Sequence, residues 1–498
     1  MGSSRTPRRA PQPLRRQPLP VAQQAPAFVL PAVPTDWFPG LSQRWMSAPL
    51  LADTLDPERN SFGVLRLMMA LAVLISHAVF LWTGTFSAEP LVALTGYSLG
   101  QYGVQGFFIL SGILVAQSLV QRGDIRDYGR ARALRIFPAL IVCVLATTLV
   151  LGPVVSFLGP FEYFTSFGVV RYIASTLSLS TGSAQLPGVF PVNPAASVVN
   201  QSLWTLKYEV ACYILLAGMS ALIWQVKAQR FAAGCLLAAW AAMILLVRPT
   251  LAHDGFFFST LAYFSLFFGT GVAAYLFRAH IRLSWLPLPV LLAFFAVSLE
   301  TDMAEITSAL LLGATLLWLS TFTFGSLRAF TSVNDYSYGA YIYSFPVSQT
   351  ILAVWPGINL VSLIALTLAA TLMLAFFSWE LIERPALGLV RRMRDDETLA
   401  ADHTAGIVLD MPLPEIAAAA VVDGSSDRTV EDAALAERQP VPVRRRTAGR
   451  VPLTRDGLAR MGEASRVAGE QAVPVIDKSR LRARMAKISE DANRLSVH

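Results

Sequence analysis

Residues 62–83 read FGVLRLMMALAVLISHAVFLWT, an apolar run in which Arg66 and His77 are the ionisable residues. About 20 apolar residues in a helix cross the roughly 30 Å hydrocarbon core of a bilayer, so this stretch is expected to span a membrane. Working outward, similar runs stand at roughly 99–121, 134–157, 203–224, 231–247, 255–277, 284–299, 306–324, 338–356 and 358–382. The runs at 231–247 and 284–299 are short, and Pro287 and Pro289 interrupt the second. The 160–181 stretch is aromatic and apolar but holds Glu162 and Arg171, which suits a surface-lying or re-entrant segment. In lipid the backbone has to satisfy its own polar groups, and helices do so within one segment. The expected fold is an all-α polytopic membrane bundle of about ten transmembrane helices.

Composition agrees. The 498 residues are 54% hydrophobic and 15% charged, where a soluble domain carries about a quarter charged residues. The mean hydropathy is +0.51. These values exclude an ordinary soluble enzyme. Cys143, Cys212 and Cys235 all sit in apolar runs, which suits buried reduced thiols rather than a disulfide framework. No Cys/His cluster has metal-ligand spacing, and neither a Gly-rich phosphate loop nor a repeat appears, so no resident metal or tightly bound cofactor is expected. The net charge of +7 is modest and carries no expectation of a nucleic-acid partner.

Both ends differ from the middle. Residues 1–58 are rich in Pro, Arg and Gln (RTPRRAPQPLRRQPLP) and lack the short apolar stretch of a signal peptide, so a disordered basic tail is expected. Residues 391–498 open with RRMRDDE and read as a mostly disordered charged tail, with one amphipathic stretch near 477–494. Residues 59–390 form the expected transmembrane domain. With the N-terminus cytoplasmic, the inner loops hold Arg122, Arg126, Arg130, Arg132, Arg135, Lys227, Arg230, Arg278, Arg282 and Arg328, and the outer loops only Arg171 and Arg248. By the positive-inside rule both termini are then expected in the cytoplasm of a cell with this protein in its inner (plasma) membrane.

An ionisable residue inside a membrane helix is costly and marks a functional site by default. Arg66 and His77 are eleven residues apart, close to three helical turns, so they share one face about 16 Å apart along the axis. With five histidines in the chain, that pairing outweighs a snorkelling arginine and an isolated bundle histidine. In SLWTLKYEV, Glu209 lies about two turns into its span, at a depth similar to His77, and is expected to orient the imidazole. Lys207 points elsewhere, toward a lipid phosphate or Asp254; the plain alternative is a local Lys207–Glu209 pair. The loop RGDIRDYGRARALRIFPAL places Arg132 and Arg135 on one side of a helix start, with guanidinium forks suited to phosphate oxygens. In GVQGFFILSGILVAQS, Gly103, Gly106, Ser111 and Gly112 read as close helix packing. NDYSYGAYIYSFPV reads as an interfacial tyrosine belt, and Glu383–Arg384 as a local pair.

Taken in order, these motifs resemble membrane acyltransferase family 3, the bacterial surface-glycan O-acyltransferases. Arg66 to His77 is similar to the family's Arg/Lys, ten residues, His pattern. GFFILSG, the R-x-x-R-I-x-P run from Arg132 to Pro138, SLWTLKYE and ERP follow in the family's order over roughly residues 58–390. The resemblance implies acyl transfer, usually acetyl, from cytoplasmic acyl-CoA as co-substrate to a sugar hydroxyl on a surface polysaccharide or lipid-linked glycan. His77 would carry the catalytic role with Glu209 beside it, and Arg66, Arg132 and Arg135 would contact the donor. Trp204, Tyr338 and Ser344 are candidate acceptor or motif positions. Members often have a His before the Pro in the late Ser/Tyr-rich motif, and here that place is Ser344 in YIYSFPV. His77 would act as a general base on the sugar hydroxyl, the favoured role, or carry the acyl group as an imidazolide. The rival reading is a proton-coupled transporter or flippase of a glycan precursor, against which no repeat of two halves is found.

Overall fold

The computed structural model describes residues 39–180, 185–224, 240, 256–389 and 392. Residues 1–48 and 49–498 form separate units. The first contributes α1 (Pro39–Ser47), which exposes Trp45 and Met46 beside Arg44. The second holds the bundle. Its helices begin with α2 (Leu51–Thr54), α3 (Phe62–Thr83), α4 (Pro90–Thr95), α5 (Leu99–Arg122) and α6 (Ile125–Leu145). There follow α7 (Gly152–Val155), α8 (Pro160–Thr165), α9 (Phe167–Leu177) and α10 (Leu206–Trp224). The last third contains α11 (Phe256–Leu276), α12 (Leu288–Ser298), α13 (Ala304–Leu319), α14 (Ser326–Val333), α15 (Ser337–Val354) and α16 (Leu360–Ser378). Among the described residues the only β pairings are the isolated bridges Leu50–Arg282 and Ser156–Val189. The chain is an all-α polytopic membrane protein.

Local chemistry sets the helix ends. Ser98 and Gln101 form a reciprocal capping box at the start of α5. Gly84 and Gly123 end α3 and α5 in the left-handed conformation, which a residue without Cβ adopts at no steric cost. Asp124 then accepts a hydrogen bond from the Arg126 N–H at 2.6 Å and caps α6. The connection is therefore two residues long, and the basic stretch expected as a loop is helical from Ile125. Pro138 lies well inside α6 instead of near its start. A wide π-turn over Ala146–Leu151 joins α6 to α7, and another over Trp379–Glu383 follows α16.

Six helical stretches among the described residues are long and apolar enough to cross a membrane: Phe62–Thr83, Leu99–Arg122, Ile125–Val155, Gln201–Leu222, Phe257–Leu276 and Leu360–Leu389. The expected count of about ten is thus not reached among the described residues. The stretches expected at 284–299 and 306–324 fold as α12 and α13, helices of 11 and 16 residues. The one expected at 338–356 is the Tyr-rich α15, which lacks the sustained apolar composition of the six. The 231–247 run lies outside the described residues except for Trp240, as do residues 1–38 and 393–498. The 160–181 stretch forms the short pair α8 and α9. The expected tail boundary at residue 58 also moves. Leu51 is fully buried, its N–H donates to Ile281 O at 2.9 Å, and Asn60 ties back to Thr54 O at 2.9 Å. The apolar PLLADTL run has enough side-chain area to dock, which the Pro/Arg/Gln-rich segment before it lacks.

Helix α3 packs against α5, α15 and α16, which places Arg66 and His77 at the centre of the bundle. On its other side α5 meets α11. There Gly112 and Gly271 face each other's helix so closely that a Cβ on Gly112 would stand 2.1 Å from Phe268 O, and one on Gly271 2.0 Å from Ile109 O. Neither carbonyl can retreat without breaking helix geometry. The small-residue stripe in GFFILSG is thus a packing seam. Gly271→Val should separate the two helices and lower thermal stability in detergent by several degrees, consistent with about 1–3 kcal/mol for overpacking. Gly129→Ala, where nothing lies within 4 Å of the added methyl, should leave stability unchanged or slightly raised in the same melt.

Candidate active site

His77 sits in the sixteenth position of α3 and is 8% exposed. Phe345 presents itself edge-on to the imidazole, with centroids 5.1 Å apart at 83°. Ser202 Oγ stands 3.5 Å from Nδ1. Ser202 belongs to a 3₁₀ turn over Gln201–Thr205 that leads into α10. Asn200 caps this turn through the Ser202 N–H and donates to Ile342 O at 2.8 Å. Thr205 Oγ1 and the Tyr341 hydroxyl share a hydrogen bond of 2.6 Å. Two latches thus hold the turn against α15, and the turn holds Ser202 against His77. Ser344 is buried and donates to Tyr341 O at 3.3 Å.

Glu209 does not meet His77. Its carboxylate accepts a hydrogen bond from the Tyr213 hydroxyl, one turn further along α10. The expected equality of depth fails because Ser202 already stands at the level of the imidazole. From there the 3₁₀ turn and the first turn of α10 carry Glu209 on by about 12 Å. Lys207 lies with its ammonium 5.1 Å from the ring centre of Tyr208 and 5.9 Å from that of Phe257. Lys207 and Glu209 therefore look to different neighbours, and the Asp254 alternative lies outside the described residues. Trp204 packs its ring against Tyr208 and Phe264.

At the opposite end of α3 the arginines form a bonded cluster. Arg66 Nη1 donates to Asp335 Oδ2, and Arg135 Nη2 donates to the same oxygen at 2.6 Å. Arg135 Nη1 donates to Glu383 Oε2 at 2.6 Å. Glu383 is 1% exposed, and its other oxygen accepts from Ser378 at 3.0 Å. The π-turn over Trp379–Glu383 changes the rotation of the chain and turns Glu383 inward. The expected Glu383–Arg384 pair is accordingly absent: Arg384 binds Glu380 at 2.8 Å, one turn back. Arg135 also lies over the rings of Tyr338 and Trp379, at 5.4 and 6.0 Å. The Tyr338 hydroxyl donates to Ile136 O at 3.0 Å, so this tyrosine is a buried partner of the cluster and not part of an interfacial belt.

Arg132 takes a separate path. Three residues correspond to about 300° of helix rotation, so its side chain diverges from Arg135 by about 60°. Its guanidinium stands 5.9 Å from the ring centre of Tyr213 and reaches Ser118 Oγ at 3.4 Å, while its buried Nε has no hydrogen-bond partner. Tyr213 connects the groups, with Arg132 over its ring and Glu209 on its hydroxyl. The structure therefore brings Arg66 and Arg135 together, places Arg132 and Glu209 on either side of Tyr213, and leaves His77 with Ser202 and Phe345. Asp335, Ser337 and Ser202 are absent from the sequence reading of the site. Cations inside a membrane bundle require anions nearby, and that requirement alone points to acidic residues flanking helices, of which Asp335 is one.

Asp335 precedes α15, and its Oδ1 accepts from the N–H of Ser337 at 3.2 Å and from the Ser337 hydroxyl. Burial opposes ionisation of its carboxyl, but Arg135 and Arg66 outweigh it, with help from Ser337, and hold the group well below the ordinary carboxylate range. A depressed folded value means that the ionised carboxylate stabilises the fold above the unfolded value of about 3.9 and loses that contribution as pH falls toward the folded one. The melting temperatures of wild type and Asp335→Asn in detergent should thus differ by a constant amount from about pH 8 to about pH 5 and converge only in strong acid. Removing Arg135 leaves Glu383 buried without a cation. Arg135→Ala should therefore destabilise the fold by about 3–5 kcal/mol, read from the same melts.

The acyltransferase-3 family model, described as an acyltransferase domain, matches residues 59–380. Two curated proteins are similar over most of their own length. An O-acetyl transferase of Shigella phage Sf6 is 29% identical over 340 residues, covering 65% of this chain and 95% of the relative. Nodulation protein 10 of Rhizobium leguminosarum bv. viciae is 28% identical over 360 residues, covering 66% and 94%. No solved structure matches the chain. The match spans α3 with Arg66 and His77, the arginine run of α6 and the α15 residues around them, and on that basis the chain belongs to the acyltransferase-3 family.

Proposed function

We propose that this O-acyltransferase moves an acyl group, acetyl in the first instance, from acyl-CoA to a sugar hydroxyl of a surface polysaccharide or lipid-linked glycan. The observation that carries the reading is the division of α3, with a guanidinium cluster at Arg66 and a lone buried imidazole at His77 about 16 Å further along. An acyl-CoA has the same two-part form, a polyanionic head joined by a long arm to a thioester. Family membership supports acyl transfer, and the activity named for the phage Sf6 relative supports oxygen as the acceptor atom and acetyl as the group. The excess of Lys and Arg in the inner loops supports an inner-membrane protein with both termini and the arginine cluster on the cytoplasmic side, where acyl-CoA is made. The transporter reading has no comparable support.

His77 is the general base in this mechanism. With Nδ1–H directed at Ser202 Oγ, Nε2 keeps its lone pair for the acceptor. Nε2 takes the proton of the sugar hydroxyl as the oxygen attacks the thioester carbonyl. The tetrahedral intermediate collapses with cleavage of the carbon–sulfur bond. The departing CoA thiolate takes the proton back from the imidazolium, giving the ester and free CoA thiol. Phe345 and the buried wall around the ring exclude bulk water, which would otherwise compete as the acceptor. Glu209, tied to the hydroxyl of Tyr213, over whose ring Arg132 lies, belongs to the donor end of this scheme and not beside the base.

The test is surface-glycan acyl content, read by mass spectrometry, in a deletion strain complemented with wild type or His77→Ala. Loss of one O-acyl group on deletion, restored by wild type and not by His77→Ala, is expected. An unchanged acyl profile on deletion, or full restoration by His77→Ala, would overturn the assignment. Removal of one positioned base should cost about 10²–10⁴-fold in rate, so purified His77→Ala should retain less than about 1% of acetyl-CoA turnover while keeping wild-type melting behaviour.

A further inference from the structure

The donor-binding role proposed for the arginines leaves open how three guanidiniums are kept in place. Arg66 and Arg135 converge on a single oxygen of Asp335, while the other oxygen is fixed by the N–H and hydroxyl of Ser337. Ser337 is fully buried in the first turn of α15. The carboxylate is therefore anchored by the start of a helix and presents one lone-pair face to two cations. Glu383 holds the far edge of Arg135. Two guanidiniums and two carboxylates cancel, so this quartet is not by itself a trap for anions.

It is, however, an ordered set of donors. Arg135 has both terminal nitrogens engaged by carboxylates. Arg66 has only Nη1 engaged among the described residues, and its side chain is 21% exposed. Its Nε and Nη2 edge is thus turned away from Asp335 and accessible. Arg132 adds a buried Nε without an acceptor, an N–H that is expensive to leave unpaired. A planar guanidinium held along one edge offers the other edge in a fixed direction, which suits phosphate oxygens.

Resting on the donor reading above, we propose that Asp335 is a positioning residue for the acyl donor. It fixes one edge of Arg66 and of Arg135, with Ser337 as its anchor, so that the free edge of Arg66 faces the donor's phosphates. Asp335 in this scheme touches no substrate and acts only through the arginines.

The experiment is binding of CoA to the full-length protein in nanodiscs, followed by calorimetry, for wild type, Asp335→Asn, Asp335→Glu and Ser337→Ala. Asp335→Asn should weaken CoA by about tenfold or more, the effect of misdirecting a charge-assisted hydrogen bond. Ser337→Ala keeps every charge and nearly every atom, and should weaken CoA by about threefold in protein that still melts cooperatively, and that loss of affinity is a readout that a merely structural serine would not move. It also serves if Asp335→Asn fails to fold. Asp335→Glu should recover part of the loss. Unchanged CoA affinity in the folded Asp335→Asn or Ser337→Ala proteins would overturn the proposal. Tighter CoA binding by Asp335→Asn would overturn it too, by showing that the carboxylate occupies the phosphate's place. Absence of CoA binding by the wild type would instead sink the donor reading itself.

Discussion

Two guanidiniums share one carboxylate oxygen at Asp335, and much of the molecule is arranged around that contact. An arginine within a bundle embedded in lipid needs an anion where it stands, because hydrocarbon offers no solvation in its place. Arg66 rides on α3, Arg135 on α6, Asp335 on the approach to α15, and Glu383 on the π-turn after α16. The ion pairs therefore join four elements that are far apart along the chain. Each of those helices also carries apolar faces with no strong preference among neighbours in lipid. The charged contact is directional where the apolar ones are not, so it sets the rotation of the helices around the site.

The other end of α3 is organised by neutral groups. Asn200, Ser202, Thr205 and Tyr341 form short polar latches that bring a 3₁₀ turn up to His77, and Phe345 closes the ring edge-on. An imidazole seated among neutral groups has no carboxylate competing for its ring nitrogens, which leaves one of them free to act as a base or a nucleophile. The same helix thus presents a charged platform at one end and an uncharged seat at the other. In the proposed mechanism this separation lets the protein hold a polyanionic donor and still keep a proton acceptor free. The seam of Gly112 and Gly271 lets α5 and α11 close tightly behind α3.

The apolar runs, their boundaries near Gly84 and Gly123, and the placement of Arg66 and His77 on one helical face were all legible in the residues. Such features depend on local hydropathy and on a fixed rotation per residue within one segment. The stripe in GFFILSG was legible for the same reason. The count of spanning helices was not, because α12 and α13 are apolar but short, and α15 mixes tyrosines and serines with its apolar residues. The basic stretch before Pro138 read as a loop because arginines mark inner loops, whereas Gly123 and Asp124 restart a helix within two residues.

By itself the sequence determined that this is a helical membrane protein, which helix carries the imidazole, and that arginines gather near its other end. Only the tertiary structure decided the partners. Asp335 lies 269 positions from Arg66, Glu383 lies 248 from Arg135, and Ser202 lies 125 from His77. Nothing local specifies such pairs, because they depend on the relative rotation and depth of separate helices. A three-residue step turns Arg132 about 60° away from Arg135. A 3₁₀ turn lowers Glu209 past the histidine, and a π-turn swings Glu383 inward. In each case a small local change of helical pitch becomes a large change of neighbour, and it takes a packed bundle to convert one into the other.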